Sequence, residues 1–349
     1  MKITIQEAAA KLQAANKIIL TSHINPDGDA IGSTLATLQI LRSMGKDVDI
    51  YIDDKIPKNF QVLPFAEQIR RPREYEKLSA DLLLILDTDL SRINMVAKVV
   101  DAPILNIDHH ITNTEDPDFL YIDADAAATC EIVVSLCHEL KAELTTNVAV
   151  CLYTGIATDT GFFNYSNTKP STFRAIAELV EAGAQPNLIS EQFEKRSYRD
   201  VKIMSAALQT TKLFYGGKVA GMFIDNALYK EVDTTEGIID LIRVIDGVDV
   251  AFLITEKEKG VCRVSMRSKG VEVSTIAKRL GGGGHIRAAG CTIEKNIDMA
   301  KMILIRKIGE YMVENGWLTP MEFENREEVL LSNFEIPPED DFEVTFYDD

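Results

Sequence analysis

The sequence predicts an α/β protein: a parallel-sheet domain with helices on both faces, linked to a smaller α/β domain. Three observations carry this. Short apolar runs alternate with segments of helical period through the first half of the chain, the pattern of a parallel sheet covered on both sides. The pattern changes at residues 186–200, where EQFEKRSYRD (191–200) is dense in charge and shows no apolar stripe. A second strand-rich stretch follows. The expected organisation is a first domain over 1–190, a helical linker over 191–215, a second domain over 216–318 and an acidic extension over 319–349.

Each element has a local reason. KIILTS (17–22) is a short apolar run and predicts a buried strand. Residues 30–44 place Ile31, Leu35, Leu38 and Leu41 at helical spacing and stop at Gly45. DVDIYI (47–52) alternates as a strand does, and DLLLIL (81–86) and PILNI (103–107) are two more buried runs. Helical segments recur at 127–141, 147–157 and 171–182, and the linker is expected to be helical through 201–213. In the second domain, 218–224, 248–255 and 261–266 predict strands, and 271–280 predicts a helix before the glycine run 281–284. A final helix over 297–315 is closed by Gly316. No fixed-period repeat is present.

Composition narrows the function classes. With 349 residues, 46% hydrophobic and 26% charged, the chain is long enough for two domains and is neither disordered nor fibrous in type. No apolar run approaches the ~18–20 residues of a membrane helix. Glu7 and the lack of an apolar stretch near the start argue against a secretory signal, so a cytoplasmic location and no membrane partner are expected. The net charge is −17, of which residues 319–349 contribute −10. That balance disfavours a broad basic surface for duplex nucleic acid and leaves room for a small anionic substrate. The five cysteines (Cys130, Cys137, Cys151, Cys262 and Cys291) form no C-x-x-C pair and are expected to be buried and reduced.

Polar residues cluster just after the predicted strands. His23, Asp27 and Asp29 lie in HINPDGD, Asp87 and Asp89 in the next segment, and Asp108, His109 and His110 in the third. Asp159 sits in TDTG at the end of an apolar helix. In a parallel sheet these positions converge at the carboxyl ends of the strands, where ligands bind. Any one aspartate there is an ordinary turn or cap residue. Together they supply imidazoles and carboxylates suited to borderline divalent metals, and so many buried carboxylates would repel one another without cations. A two-metal site is therefore expected. Four of the five histidines fall in these segments or beside the glycine run; His138 is read as a surface or packing residue.

The marks HINPDGDAIGS (23–33), LDTD (86–89), NIDHH (106–110) and TGIATDTGFF (154–163), with VSMRS (264–268) and GGGGHIRAAG (281–290), resemble the DHH phosphoesterase family and its DHH-associated domain. The resemblance covers about residues 18–317, and the two-domain form is similar to the members that degrade nanoRNA and dephosphorylate 3′-phosphoadenosine 5′-phosphate (pAp). It implies that His23, Asp27 and Asp87 hold one metal and that Asp29, Asp87, His109 and Asp159 hold the other, with Asp87 bridging. It implies that His110 contacts the scissile phosphate, that Asp108 orients the histidine pair, and that Asp89 sits beside the ligands or caps a turn. It implies two Mn2+ per site, with Mg2+ or Co2+ as substitutes. The substrates implied are short single-stranded RNA, pAp or pApA, acted on by a monomer or homodimer.

Four successive glycines let a backbone approach a phosphate or base, although a flexible turn explains them equally on spacing alone. No Lys-Ser/Thr follows, and the dinucleotide spacing fails. Arg267, His285 and Arg287 around Gly282, Gly283 and Gly284 favour a nucleotide grip. Hydrolysis of cyclic di-AMP or pApA is the main alternative. A polyphosphatase or family II pyrophosphatase is disfavoured by GGGGHIRAAG. A catalytically silent nucleotide-binding regulator is disfavoured because every metal ligand is present.

Overall fold

The computed structural model describes residues 1–113, 117–231, 235 and 237–324. The chain divides into two compact units, Met1–Lys195 and Arg196–Asp349.

The first unit opens with α1 (Ile5–Ala14), β1 (Lys17–Thr21), α2 (Gly28–Ser43), β2 (Asp47–Tyr51) and the short β3 (Ile69–Arg70). There follow β4 (Leu78–Ser79), β5 (Leu82–Leu86), α3 (Val96–Val99), β6 (Val100–Asp101), β7 (Ile104–Asp108) and β8 (Phe119–Ile122). Four helices close the unit: α4 (Thr129–Glu139), α5 (Thr146–Asp159), α6 (Pro170–Glu181) and α7 (Pro186–Glu194). The main sheet has the order β3-β2-β1-β5-β7-β8 and is parallel throughout. The chain enters at β1, moves to one side through β2, then returns to β5 on the other side. Its topological switch point therefore lies between β1 and β5, where a ligand crevice is expected.

Alternation along the strands divides the core. Ile18, Leu20, Leu82, Leu84 and Leu86 pack into the large core with α2, α4 and α5, whereas Ile19, Leu83 and Ile85 join a smaller core with Val96 of α3. Both faces are thus covered, which is why the strands read as continuous apolar runs rather than as alternating ones.

Several elements were not visible in the sequence. α1 is set by a capping box between Thr4 and Glu7. β3 and β8 are short strands flanking the main ones. The stretch read as a charged linker hides an anchor: Ile189 and Phe193 lie one helical turn apart on α7, and the Phe193 ring sits 5.3 Å from that of Phe60.

The second unit begins with α8 (Tyr198–Gln209), started by the Ser197–Asp200 capping box. The helix expected over 201–213 instead stops at Gln209, because β9 (Lys212–Phe214) pairs antiparallel with β10 (Val219–Ile224). There follow α9 (Asn226–Tyr229), α10 (Asp240–Arg243), β11 (Val250–Glu258), β12 (Val261–Ser268), α11 (Val273–Arg279), β13 (Gly283–His285) and β14 (Ala288–Ile293). The described residues end with α12 (Ile297–Glu314) and α13 (Pro320–Glu324). Its mixed sheet has the order β13-β14-β12-β11-β10-β9, with a core on each face. The acidic extension expected over 319–349 lies outside the described residues from 325 onward. All five cysteines are buried free thiols, as expected. Among the described residues no helix is long and apolar enough to cross a membrane.

Candidate metal centre

The three strand-end segments meet at the switch point. β1 leads to His23 and β5 to Asp87, while β7 delivers Asp108 and the loop bearing His109 and His110. α2 supplies Asp29 from its first turn, and Asp27 is its N-cap, accepting from the backbone N–H groups of Asp29 and Ala30. α5 supplies Asp159 from its last residue.

Asp29 and Asp159 come together because α2 and α5 pack almost without side chains between them. A Cβ on Gly28 would lie 2.2 Å from Thr158 Oγ1, one on Gly32 would lie 2.5 Å from the Cys151 carbonyl, and one on Gly155 would lie 3.0 Å from Asp29 Oδ1. Both oxygens of the buried Asp29 carboxylate accept from the start of α4, at 2.6 Å from Thr129 N and 2.8 Å from Cys130 N. A carboxylate at a helix N-terminus is well placed electrostatically. The same Thr129 donates its hydroxyl to Asp87 Oδ1 at 3.1 Å.

The Asp87 carboxylate is shared between two histidines. Its Oδ2 is 3.5 Å from His23 Nε2 and its Oδ1 is 3.5 Å from His109 Nε2. His23 Nε2 also faces Asp27 Oδ2 at 3.7 Å. His109 Nε2 faces Asp159 Oδ2 at 3.5 Å and Asp29 Oδ2 at 3.9 Å. These separations are too long for good hydrogen bonds. They suit pairs of donor atoms on one ion, since ligands ~2.1 Å from a metal at ordinary coordination angles lie roughly 3–3.5 Å apart. The cluster thus gives three candidate ligand groups, His23–Asp27–Asp87, Asp29–His109–Asp159 and Asp87–Asp108–His109–His110, and the Asp87 carboxylate faces His23 of the first and His109 of the second.

Electrostatics agree with that donor set. Burial, and then the charges of Asp29, Asp27, Asp108 and Asp159, push the Asp87 carboxyl well above the usual carboxylate range. In the metal-free chain, the stabilisation that goes with a raised carboxyl is complete at low pH and is lost as pH rises through the folded-state value. A divalent cation removes that loss and competes with protons for the same atoms. Adding Mn2+ is therefore expected to raise the melting temperature more at pH 8 than at pH 5. At about 100 times the dissociation constant the linkage is worth ~2.7 kcal/mol, or about 5–10 °C for a unit of this size. Thermal melts with Mn2+ and with chelator at both pH values check this; a gain that did not grow with pH would contradict it.

Asp108 is wholly buried and belongs to the third group, but both of its oxygens are already engaged in hydrogen bonds. Its Oδ1 accepts from His109 N (2.7 Å), His110 N (3.1 Å) and His110 Nδ1 (2.7 Å), and its Oδ2 accepts from Asn113 Nδ2 (2.7 Å). Burial works against its ionisation, but the His110 ring and the Asn113 amide hold the carboxyl below the usual range. Asp89 caps the next turn by accepting from Ser91 N. His138 stands on the surface, 2.8 Å from Glu178.

Sequence reasoning passed over Thr129, Asn113, Arg92, Asp53 and Asp54. Arg92 Nη2 lies 2.9 Å from His23 Nδ1. Asp54 accepts from Asn25 N at 2.8 Å, fixing the left-handed turn (φ 51°) between His23 and Asp27. Asp53 caps the segment Asn94, Met95 and Val96. Only the DD pair directly after a strand gave any hint of the last two.

The glycine-run residues lie in the second unit. Gly283, Gly284 and His285 form β13, paired with β14 in register with Gly290, Ala289 and Ala288, and Arg287 stands in the two-residue turn between the strands. The run is therefore part of a hairpin rather than a flexible turn. Packing against β14 explains two of the glycines: a Cβ would lie 2.1 Å from the Gly290 carbonyl at Gly282 and 2.6 Å from the Ala288 carbonyl at Gly284. At Gly283 a Cβ would meet nothing within 4 Å. Arg267 on β12 also pairs with Ala288, so Arg267, Ala288 and His285 form one row across three strands and share a face.

The model for the "DHH family, N-terminal domain" matches residues 17–156, and that for the "DHHA1 domain" matches residues 216–312. A Thermus thermophilus protein named bifunctional oligoribonuclease and PAP phosphatase NrnA is 33% identical over 303 residues, covering 86% of this chain and 92% of that protein. A Bacillus subtilis protein of the same name is 28% identical over 286 residues, covering 79% of this chain and 89% of that protein. The crystal structure of an exopolyphosphatase-related protein from Bacteroides fragilis superposes with a TM-score of 0.80 at 23% identity, over 88% of this chain and 96% of that one.

Proposed function

The chain belongs to the DHH family, and from that premise we propose that it is a metal-dependent phosphoesterase that hydrolyses short oligoribonucleotides to mononucleotides and dephosphorylates pAp. The relatives named as oligoribonuclease and PAP phosphatase support that substrate class. The observation that carries the chemistry is the division of the Asp87 carboxylate between His23 and His109, each 3.5 Å away.

In this reading His23, Asp27 and Asp87 hold one divalent ion, and Asp29, Asp87, His109 and Asp159 hold a second, with Mn2+ the favoured metal. When bound, the pair supplies an acidified water and positive charge for the phosphoryl group. The rest falls to the chain's own residues. Asp108 holds the proton on His110 Nδ1, which turns the other ring nitrogen away from it. His110 is the more exposed of the two histidines, 23% against 6%. It contacts the scissile phosphate and steadies charge that develops on oxygen. Asp29 is held by the amides of α4 and Asp87 by the Thr129 hydroxyl, so neither carboxylate has to be reorganised during turnover.

The second unit binds nucleotide through Arg267, Gly282, Gly283, Gly284, His285 and Arg287. Gly281 and Gly283 are the positions in the run with open space around them, and Arg267 Nε is buried without a hydrogen-bond partner among the described residues. A guanidinium in that state suits a phosphate. His285→Ala is expected to raise KM about tenfold with kcat changed less than about threefold, because a grip made equally in ground and transition states acts on KM. Steady-state kinetics on pAp check this, and a pure kcat loss would move His285 into the chemistry.

The net charge of −17 leaves affinity to the site rather than to a basic surface, which favours short single strands over duplexes. The test of the whole reading is kcat/KM on a Mn2+-loaded panel: RNA of two to five nucleotides, pAp, pApA, cyclic di-AMP and pyrophosphate. Preference for short RNA and pAp supports it. Preference for cyclic di-AMP would favour the cyclic-dinucleotide alternative, and no turnover of any substrate would favour the regulator.

A further inference from the structure

Beside the candidate metal centre lies a pair of buried amides, Asn106 and Asn113, of which only the Asn113 bond to Asp108 has entered so far. Asn106 sits on β7, fully buried, and Asn113 follows the histidine loop, 4% exposed. Asn106 Nδ2 donates to the carbonyls of Ile85 (3.2 Å) and Thr88 (2.7 Å). Asn113 Nδ2 donates to Asn106 Oδ1 (2.7 Å) and Asp108 Oδ2 (2.7 Å), and also approaches the Thr88 carbonyl at 3.3 Å. The two side chains thus form a continuous strap. One end holds the backbone on both sides of Asp87, and the other end holds the aspartate that carries both histidine amides and the His110 ring.

The strap spans a strained place. Asp87 has φ 63°, a left-handed conformation that a non-glycine residue keeps only where its surroundings enforce it. Asp87 N donates to the Ile107 carbonyl at 3.1 Å, so the turn is pinned to β7 from the backbone as well. Buried amides are costly unless their hydrogen bonds are made, and here they supply the donors to two buried acceptors, the Thr88 carbonyl and Asp108 Oδ2. Filling space is therefore not their whole role: they join the segment after Asp87 to Asp108 through an Asn113–Asn106 hydrogen bond.

We propose that Asn106 and Asn113 are positioning residues that fix the Asp87 turn relative to the Asp108–His109–His110 loop, and through it the spacing of the two metal positions. The inference rests on the two-metal reading above. Neither asparagine is a ligand and neither touches substrate. They act on the distance between the bridging carboxylate and His109, and on the orientation of His110.

The experiment uses the full chain loaded with Mn2+, as wild type and as Asn113→Ala, Asn113→Ser and Asn106→Ser. Circular dichroism and thermal melts establish that each variant is folded, and two substitutions at one site guard against the failure of either. Electron paramagnetic resonance then reads the exchange coupling of a Mn2+ pair, a signature of ion spacing that a general loss of stability does not alter. The expected result is an altered coupling signal in the folded variants, a metal affinity or kcat lowered about 10- to 100-fold, and KM for pAp changed less than about threefold. Unchanged coupling and kcat within about twofold of wild type would overturn the proposal. If the wild type itself gives no coupled pair, the two-metal reading fails first, and the strap with it; a coupled wild type with indistinguishable variants sinks the strap alone.

Discussion

Asp87→Asn is expected to lower kcat/KM on pAp more than about 10³-fold and to leave the fold intact. The amide keeps the shape of the carboxylate and can still accept from Thr129 Oγ1, which lies 3.1 Å from Asp87 Oδ1. What it loses is the anionic oxygen facing His23 and the one facing His109, so both metal positions are weakened by a single change. Stability should move the other way. The Asp87 carboxyl is raised by burial and by the neighbouring charges of Asp29, Asp27, Asp108 and Asp159, so a neutral group there relieves repulsion in the metal-free chain. The chelated variant should melt at or above the chelated wild type, whereas Mn2+ should raise the melting temperature of the wild type far more than that of the variant. Calorimetry with and without Mn2+, together with metal content by elemental analysis, separates this from simple unfolding. Turnover within tenfold of wild type at saturating Mn2+ would remove the bridging role.

That the cluster is legible in the sequence follows from the kind of information involved. Buried parallel strands announce themselves as apolar runs, and KIILTS, DLLLIL and PILNI each correspond to an observed strand. Once they are placed, a parallel sheet fixes where the next residues go, so His23, Asp87 and Asp108 had to fall on one edge. The residues that support them carry no such signal. Thr129 acts mainly through its backbone N–H and a hydroxyl at the head of a helix whose start the periodicity placed two residues early. Asn106 opens the NIDHH mark, but nothing in the sequence says that its amide is turned towards Thr88 and Asn113. The meaning of the glycine run was likewise hidden, because β14 reads as AAGCTI, too small and mixed to announce a strand, and only its pairing shows why Gly282 and Gly284 cannot carry a side chain. Ligand chemistry survives in the sequence as residue type, while the contacts that hold ligands in place depend on which backbone passes nearby.

His110→Ala should separate proton transfer from metal binding. The ring lies edge-on to His109, with centroids 4.4 Å apart, and its Nδ1 is committed to Asp108 at 2.7 Å. Because the His110 Nδ1 is held by Asp108 and stands 3.7 Å from the nearest Asp87 oxygen, the variant should keep its Mn2+ content and its KM while kcat falls by about 10²–10⁴-fold. The size of that fall should depend on the leaving group if the ring delivers a proton to it. A substrate that leaves as a nitrophenolate needs no such proton, so the defect on p-nitrophenyl phosphate or its nucleotide diester should shrink towards tenfold. If His110 instead only steadies charge on the non-bridging phosphate oxygens, the defect should be the same for both leaving groups. Asp108→Asn supplies the second arm. With an amide in place of the carboxylate, the His110 ring loses the anionic partner of its Nδ1–H, and the kcat loss should approach that of His110→Ala although the imidazole is still present. Full activity in Asp108→Asn alongside a large defect in His110→Ala would show that the imidazole acts without its aspartate, and the orienting role assigned to Asp108 would have to be given up.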